Sequence, residues 1–345
     1  MFYHAQSPLS TKFSLIVPKK GSTVKAKNTN PQPSTTFNFR PVTTNILNQK
    51  KQNQNEKVIK VILKNNNKEN LCPNVQKDPA KEPTPKKLSE IPSDLTEYTD
   101  EMYATMITDS AEQDYSLDSI LSVQKDINAK MRSILIDWLI SLHSHFPLKE
   151  NTLFITVNII DRYISKKFIH RSKFQLLGIT AFFLAAKYEE IYFPECSRLA
   201  KMTDGAATYK EIISFEHELL SVLDFRISIP HQFDIYQFMS LKYKFSRKEF
   251  YFGLFMLEAF LLDINSTKYL PFVICESACY LVMKIVRKDE GNNEILVGSN
   301  KVEIKQCILE MYVYCRDITT TNLKAVLAKF KDEKYNKTSE IYGGI

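Results

Sequence analysis

Met131-Arg132-Ser133-Ile134-Leu135-Ile136-Asp137-Trp138-Leu139 contains the only tryptophan in a chain of 345 residues. The stretch reads as the middle of one helix over about 126–144. Placed at about 100° per residue, Ile127, Met131, Ile134, Leu135, Trp138 and Leu142 share one face, while Ile136, Leu139 and Ile140 share a second with Arg132 among them. Only Lys130, Ser133 and Asp137, with Ser141 at the edge, are left for water. That is more apolar surface than a half-buried helix needs. The helix is therefore either a core element, or one that packs inward and shows a second apolar face to a partner. Arg132 needs a carboxylate, because a lone buried guanidinium is strongly destabilising.

Working outward, a helix over 151–165 carries Leu153, Phe154, Val157, Ile160 and Ile164, and offers Asp161 as the partner for Arg132. A surface pairing of Asp161 with Arg162 or Lys166 is the alternative. Residues 174–188 are apolar nearly all round, with Gly178, Ala181 and Ala185 small enough for close helix approach, which predicts the central helix of a bundle. A short helix over 197–202 follows, then Thr208-Tyr209-Lys210-Glu211, a capping-box signature opening a helix to 223. Past Pro230 the pattern begins again, with helices over 231–243, 247–263, 271–287, 302–316 and 322–330. The fold class is all-α: two five-helix units in tandem, with no competing strand pattern. Ahead of them, Leu95, Tyr98, Met102 and Met106 recur at helical spacing behind a cap at Ser93 or Asp94.

Charge separates the two ends of the chain. Residues 1–95 hold 16 Lys and Arg against 6 Asp and Glu, a net of +10, which leaves 30 against 33 for the remainder. The leader, rich in Asn, Lys, Pro, Thr and Ser, has too little apolar surface to offset its ordering entropy and is expected to be disordered. The expected organisation is 1–92 a regulatory tail, 93–226 the first unit with its preceding helix, 227–331 the second unit and 332–345 a C-terminal tail. Eight glycines make a phosphate-cradling loop improbable. Six cysteines, without a charged-then-apolar leader or any run near 18 apolar residues, point to a reduced intracellular chain. Cys275 and Cys279, four apart on one helix, lack the histidine or CxxC spacing that would complete a metal site, so no metal or other cofactor is expected.

Met131-Arg132-x-Ile134-Leu135-Ile136-Asp137-Trp138-Leu139 with Leu142-His143, then Asn158-Ile159-Ile160-Asp161-Arg162-Tyr163, then Ala185-Ala186-Lys187-Tyr188-Glu189-Glu190-Ile191-Tyr192 together resemble the cyclin box. The resemblance extends over about 91–330 and is closest to a mitotic B-type cyclin, with the A-type close behind. It implies a regulatory subunit of a cyclin-dependent kinase and not an enzyme. Lys187 and Glu216 match the residues with which the family grips the kinase's mobile helix, and Leu184, Tyr188, Leu220 and Phe225 would form the apolar part of that contact. The bottom-up reading agrees, since Glu216 is bracketed by Ile212, Ile213, Leu219 and Leu220 and wants a partner, an internal ion pair being the alternative. Met131, Ile134, Leu135, Trp138, Ser141 and Gln175 match the family's docking patch for short basic-x-leucine substrate peptides. Ser141 stands where the family commonly has an acidic residue, and Phe238-Met239-Ser240-Leu241 replaces the Leu-Arg-Arg run of B-types.

The leader carries short motifs that suit this reading. Lys68-Glu69-Asn70 spells a KEN box, and the segment from Arg40 to Ile46 and Asn48 resembles a destruction box with Thr43 in the place of leucine. Both are signals for the ubiquitin ligase of anaphase. Thr84-Pro85-Lys86-Lys87 fits proline-directed kinases, and Pro18-Lys19-Lys20 is a nuclear-import candidate, so residence in nucleus and cytoplasm is expected. Two other function classes compete. A tandem-fold transcription adaptor that binds nucleic acid needs a basic folded surface, and this body is slightly acidic. An enzyme finds no nucleophile, phosphate loop or shared His/Cys/carboxylate cluster; His143 and His145 do not share a helix face. No membrane partner is expected, and within the resemblance an A-type S-phase role is the alternative to G2/M control.

Overall fold

The computed structural model describes residues 99–288 and 301–342, and among these it contains thirteen α-helices and no strand. A leading helix, α1 (Thr99–Ser110), precedes a short α2 (Leu117–Val123). The first five-helix fold follows: α3 (Ala129–His145), α4 (Glu150–Lys166), α5 (Phe174–Glu189), α6 (Cys196–Met202) and α7 (Tyr209–Val222). The second comprises α8 (Gln232–Lys242), α9 (Arg247–Leu261), α10 (Pro271–Val282), α11 (Lys301–Asp317) and α12 (Ala325–Lys329), with α13 (Thr338–Tyr342) behind it. The motif residues Arg40, Ile46, Asn48, Lys68, Glu69, Asn70 and Thr84 lie outside the described residues.

Local chemistry sets the helix ends. The Asn128 side chain accepts from the Met131 amide at 3.0 Å, so α3 starts three residues later than its apolar periodicity suggests, and Asp126 lies outside it. Thr208 and Glu211 close the capping box of α7 reciprocally, and Ser246 with Glu249 does the same for α9. The last turn of α10 widens into a π turn over Met283–Arg287 and stops at Lys288 in the left-handed region. Apolar periodicity did not reveal α2, which spans seven residues and buries only Ile120. Its one local signal is the Ser116/Ser119 capping box.

α5 is buried from Phe174 through Ala186 and forms the axis of the first fold. α3 crosses it where Gly178 faces Leu135; a methyl group at position 178 would lie 2.7 Å from a Leu135 methyl carbon. The opposite side of α3 is also covered. Ile136 and Ile140, with Leu153, Phe154 and Val157 of α4, belong to the same core as Phe255, Phe260 and Phe330 of the second fold. The arc left for water by sequence periodicity meets protein as well: Ser133 donates to Leu262 O at 2.6 Å, and Asp137 accepts from the Ala325 amide at 2.9 Å. The surplus apolar surface of the opening stretch is thus consumed by two neighbours, one in each fold.

Charged groups tie the same elements together. Arg132 Nε and Nη2 each donate to Asp161 at 2.7 Å, and Nη1 donates to Leu261 O at 2.8 Å, with both side chains buried. Arg162, also buried, pairs with Asp114 and donates to Arg226 O at 2.6 Å. Neither surface alternative for Asp161 is used, because Arg162 and Lys166 both turn to Asp114. Lys329 bridges Glu150 and Glu258 at 2.6 Å each. Burial drives the Glu258 carboxyl upward against the pull of Lys329, whereas Lys329 and His143 bring Glu150 down despite its burial. Residues 333–340, expected to belong to a C-terminal tail, remain packed, with Thr338 fully buried and the Tyr335 hydroxyl donating to Glu150 at 2.9 Å.

Candidate functional site

Lys187 closes α5, and Glu216 lies midway along α7. The two side chains meet, Lys187 Nζ to Glu216 Oε1 at 2.5 Å, with Lys187 34 % and Glu216 12 % exposed. The ammonium also sits 4.8 Å from the centroid of the Phe183 ring. Both arms of the sequence reading therefore meet here: the carboxylate has an internal partner, and the pair remains open to solvent on one side.

Several large apolar side chains that follow Lys187 in the chain, or lie on and just after α7, are left exposed. Tyr188 is 49 % exposed, Ile191, Tyr192 and Phe193 continue outward in the loop behind α5, and Ile213 stands out from α7 beside the fully buried Ile212. Phe225 is 68 % exposed because Asp224 and Phe225 both adopt left-handed φ, 50° and 57°. Such a conformation is uncommon for these residue types, and it is held by Arg162 gripping the carbonyl of Arg226. The loop behind α5 is pinned through Glu190, which accepts from the Lys149 amide and from the Thr152 hydroxyl, and through the Lys149–Glu189 ion pair. Exposed apolar groups held on rigid backbone mark an interaction surface. Leu220 is half-buried at its edge, while Leu184, expected among the contact residues, is buried and has little surface to offer. Ile191 and Tyr192 of the motif, with Phe193 and Ile213, were not expected among the contact residues from sequence; an aromatic-aliphatic run just past a helix end was the available signal.

The expected peptide patch on α3 differs more from its sequence reading. Leu135 is fully buried against Gly178 and is not available as a contact residue, and Met131 and Trp138 are buried too. Ile134 is half-buried and Ser141 exposed. Two buried donors nevertheless lack acceptors, Trp138 Nε1 on α3 and Gln175 Nε2 on α5. The patch is a shallow rim with unspent hydrogen-bond donors beneath it, and not an open apolar face.

The cysteines Cys275 and Cys279 sit in the core of α10 with their thiols raised well above the ordinary range by burial. Among the described residues no three His, Cys, Asp or Glu side chains converge to hold a metal ion. No helix among them is long and apolar enough to cross a membrane.

Residues 101–228 match the family model described as cyclin, N-terminal domain, and residues 229–342 the one described as cyclin, C-terminal domain. Among curated relatives, Cyclin-B2-1 of Oryza sativa subsp. japonica is 38% identical over 190 residues, 55% of this chain and 45% of the relative. The G2/mitotic-specific cyclin-B of Dictyostelium discoideum is 30% identical over 258 residues, 72% of this chain and 58% of the relative. The chain thus spans about half the length of these relatives. A solved viral cyclin from herpesvirus saimiri shares the fold, with a TM-score of 0.52 at 17% identity over 62% of this chain and 97% of that one.

Proposed function

This chain belongs to the cyclin family, and from that premise we propose that it binds and activates a cyclin-dependent protein kinase as its regulatory subunit. The observation that carries this reading is the partly exposed Lys187–Glu216 pair on a chain that also leaves Tyr188 and Ile191 just after Lys187, Ile213 on the same helix as Glu216, and Phe225 past that helix exposed. A kinase must turn a helical glutamate inward to pair with its nucleotide-binding lysine. A partner that grips that helix stabilises the inward state, and shifting such an equilibrium from 1:99 to 99:1 takes about 5.5 kcal/mol of differential binding. An apolar surface of this kind with one charged pair to orient the contact can supply it, whereas isolated surface ion pairs cannot. The relatives' names, G2/mitotic-specific cyclin-B and Cyclin-B2, favour a role in mitotic control over the A-type S-phase programme.

The same subunit would dock substrates through the rim formed by Met131, Ile134, Trp138 and Gln175. Peptide carbonyls would satisfy the unspent donors of Trp138 and Gln175. With Ser141 in place of an acid, selection for a basic residue in the peptide is weakened. Lys68-Glu69-Asn70 and the segment with Arg40, Ile46 and Asn48 would deliver the protein to the ubiquitin ligase of anaphase, and the protein would act in nucleus and cytoplasm. Replacing Lys68-Glu69-Asn70 with alanines is expected to prolong its life in late mitosis, and an unchanged half-life removes that motif from the account.

Co-expression with cyclin-dependent kinase subunits, followed by purification and a phosphotransfer assay, tests the main reading. The complex is expected to phosphorylate a histone substrate that neither subunit modifies alone. Failure of every such kinase to bind overturns it. A nucleic-acid adaptor is the second class; it would retain DNA or RNA in the same purification, against the slightly acidic balance of the body.

A further inference from the structure

A cavity of about 370 Å³ lies between α1, the start of α4, the end of α5 and the segment that joins the two folds. Its size is that of a ligand cleft. Three carboxylates line it, Asp109 of α1, Glu189 of α5 and Asp234 of α8, and no lysine or arginine does. Glu189 is held by Lys149, and Asp234 accepts from Asn151 at 3.0 Å, but Asp109 has no charged partner among the described residues.

His231 is the independent observation that the cavity wants a ligand. Its ring is 3 % exposed, stacks on Phe154 and lines the cavity. Nε2 lies 3.2 Å from Asp234 Oδ2, and a ring nitrogen facing a carboxylate oxygen carries the proton, so Nδ1, buried and without a hydrogen-bond partner, is left as the acceptor. Every group that asks for something in this cavity therefore asks for a donor. A bare metal ion does not fit, because no three ligating groups among the described residues converge closely enough. An extended cation with several N–H groups does. Met106, Ile155 and Tyr188 provide apolar wall for the stem that carries it.

We propose that this cavity receives an arginine side chain of the bound kinase subunit. A guanidinium offers five donors in a planar fork, suited to carboxylates and an imidazole nitrogen approached from one side. The occupant is assigned to the kinase because Tyr188 borders both the cavity and the exposed apolar surface beside Lys187, so a protein seated on that surface reaches the cavity mouth. The assignment rests on the kinase-binding reading.

The test uses the full chain and its kinase, with affinity measured by titration calorimetry at low and at physiological salt. Asp109→Lys changes an exposed residue without a charged partner, so folding is preserved, which a thermal melt verifies. It is expected to weaken kinase binding by about tenfold or more and to flatten the salt dependence. Asp234→Asn is expected to act in the same direction, and one kinase arginine changed to alanine should make Asp109→Lys nearly silent. If Asp109→Lys binds with unchanged affinity and salt dependence while Tyr188→Ala weakens binding, the cavity assignment is wrong and the kinase-binding reading stands. If the unaltered chain binds no kinase, both fall together.

Discussion

Removing Lys187 and Glu216 separates a structural pair from a binding pair, because the two roles have different magnitudes. With the lysine 34 % exposed, the ion pair is screened and contributes about 0.2–1 kcal/mol to folding, and the ammonium over Phe183 adds roughly 0.5–1 kcal/mol. The double substitution Lys187→Ala, Glu216→Ala should thus cost about 1–2 kcal/mol, a fall in Tm of roughly 2–8 °C for a body of this size. If the pair is the kinase contact, the same groups would be desolvated against kinase polar groups in the complex, and truncating one side of such a contact costs about 2–5 kcal/mol. At about 1.4 kcal/mol per decade, kinase affinity should fall roughly 30-fold to several thousand-fold. Calorimetric titration of the kinase and a thermal melt of the free subunit are the paired measurements. A fall in Tm well beyond this range with kinase affinity unchanged would mean that the pair serves the fold alone, and the reasoning that makes it the kinase contact would be refuted.

Three further outcomes follow from the packing. Asp161→Asn strands the buried Arg132 guanidinium and should cost about 3–5 kcal/mol, while Arg132→Met with Asp161→Leu should recover most of that loss in chemical denaturation; equal losses in both variants would contradict it. Gly253→Ala would place a methyl carbon 2.0 Å from the Tyr236 hydroxyl, which is itself bonded to Phe250 O, and overpacking of this kind costs about 1–3 kcal/mol, read as a lowered Tm; a wild-type Tm would show that α8 and α9 can separate freely. Burial pulls the His143 imidazole down to about 4, so between there and the ordinary value near about 6.5 the unfolded chain binds the extra proton, and stability falls as pH drops through that window. Across it the chain should lose about 3 kcal/mol that His143→Gln does not lose; parallel stability–pH curves for the two proteins would exclude a buried neutral imidazole.

Much of this molecule is written in local pattern. Turn periodicity and capping chemistry located ten helices in two sets of five, and an arginine on an apolar face demanded the carboxylate that Asp161 provides at 2.7 Å. Lys187 and Glu216 were legible for the same reason, as charges among aliphatic neighbours, and the protein brings the two together. What the pattern could not contain is which surface covers which face. Leu135 and Ile136 are equally apolar and adjacent in sequence, yet Gly178 lies against the first and the second fold covers the other. The arc of Ser133 and Asp137 looks solvated in sequence, but its partners Leu262 and Ala325 lie 129 and 188 residues away. Hydrophobic periodicity reports that a side chain avoids water, not what takes the water's place. The assignment of Leu135 to the core, the exposure of Phe225 on a left-handed turn and the donor-seeking cavity around His231 were therefore decided only when distant segments of the chain packed against one another.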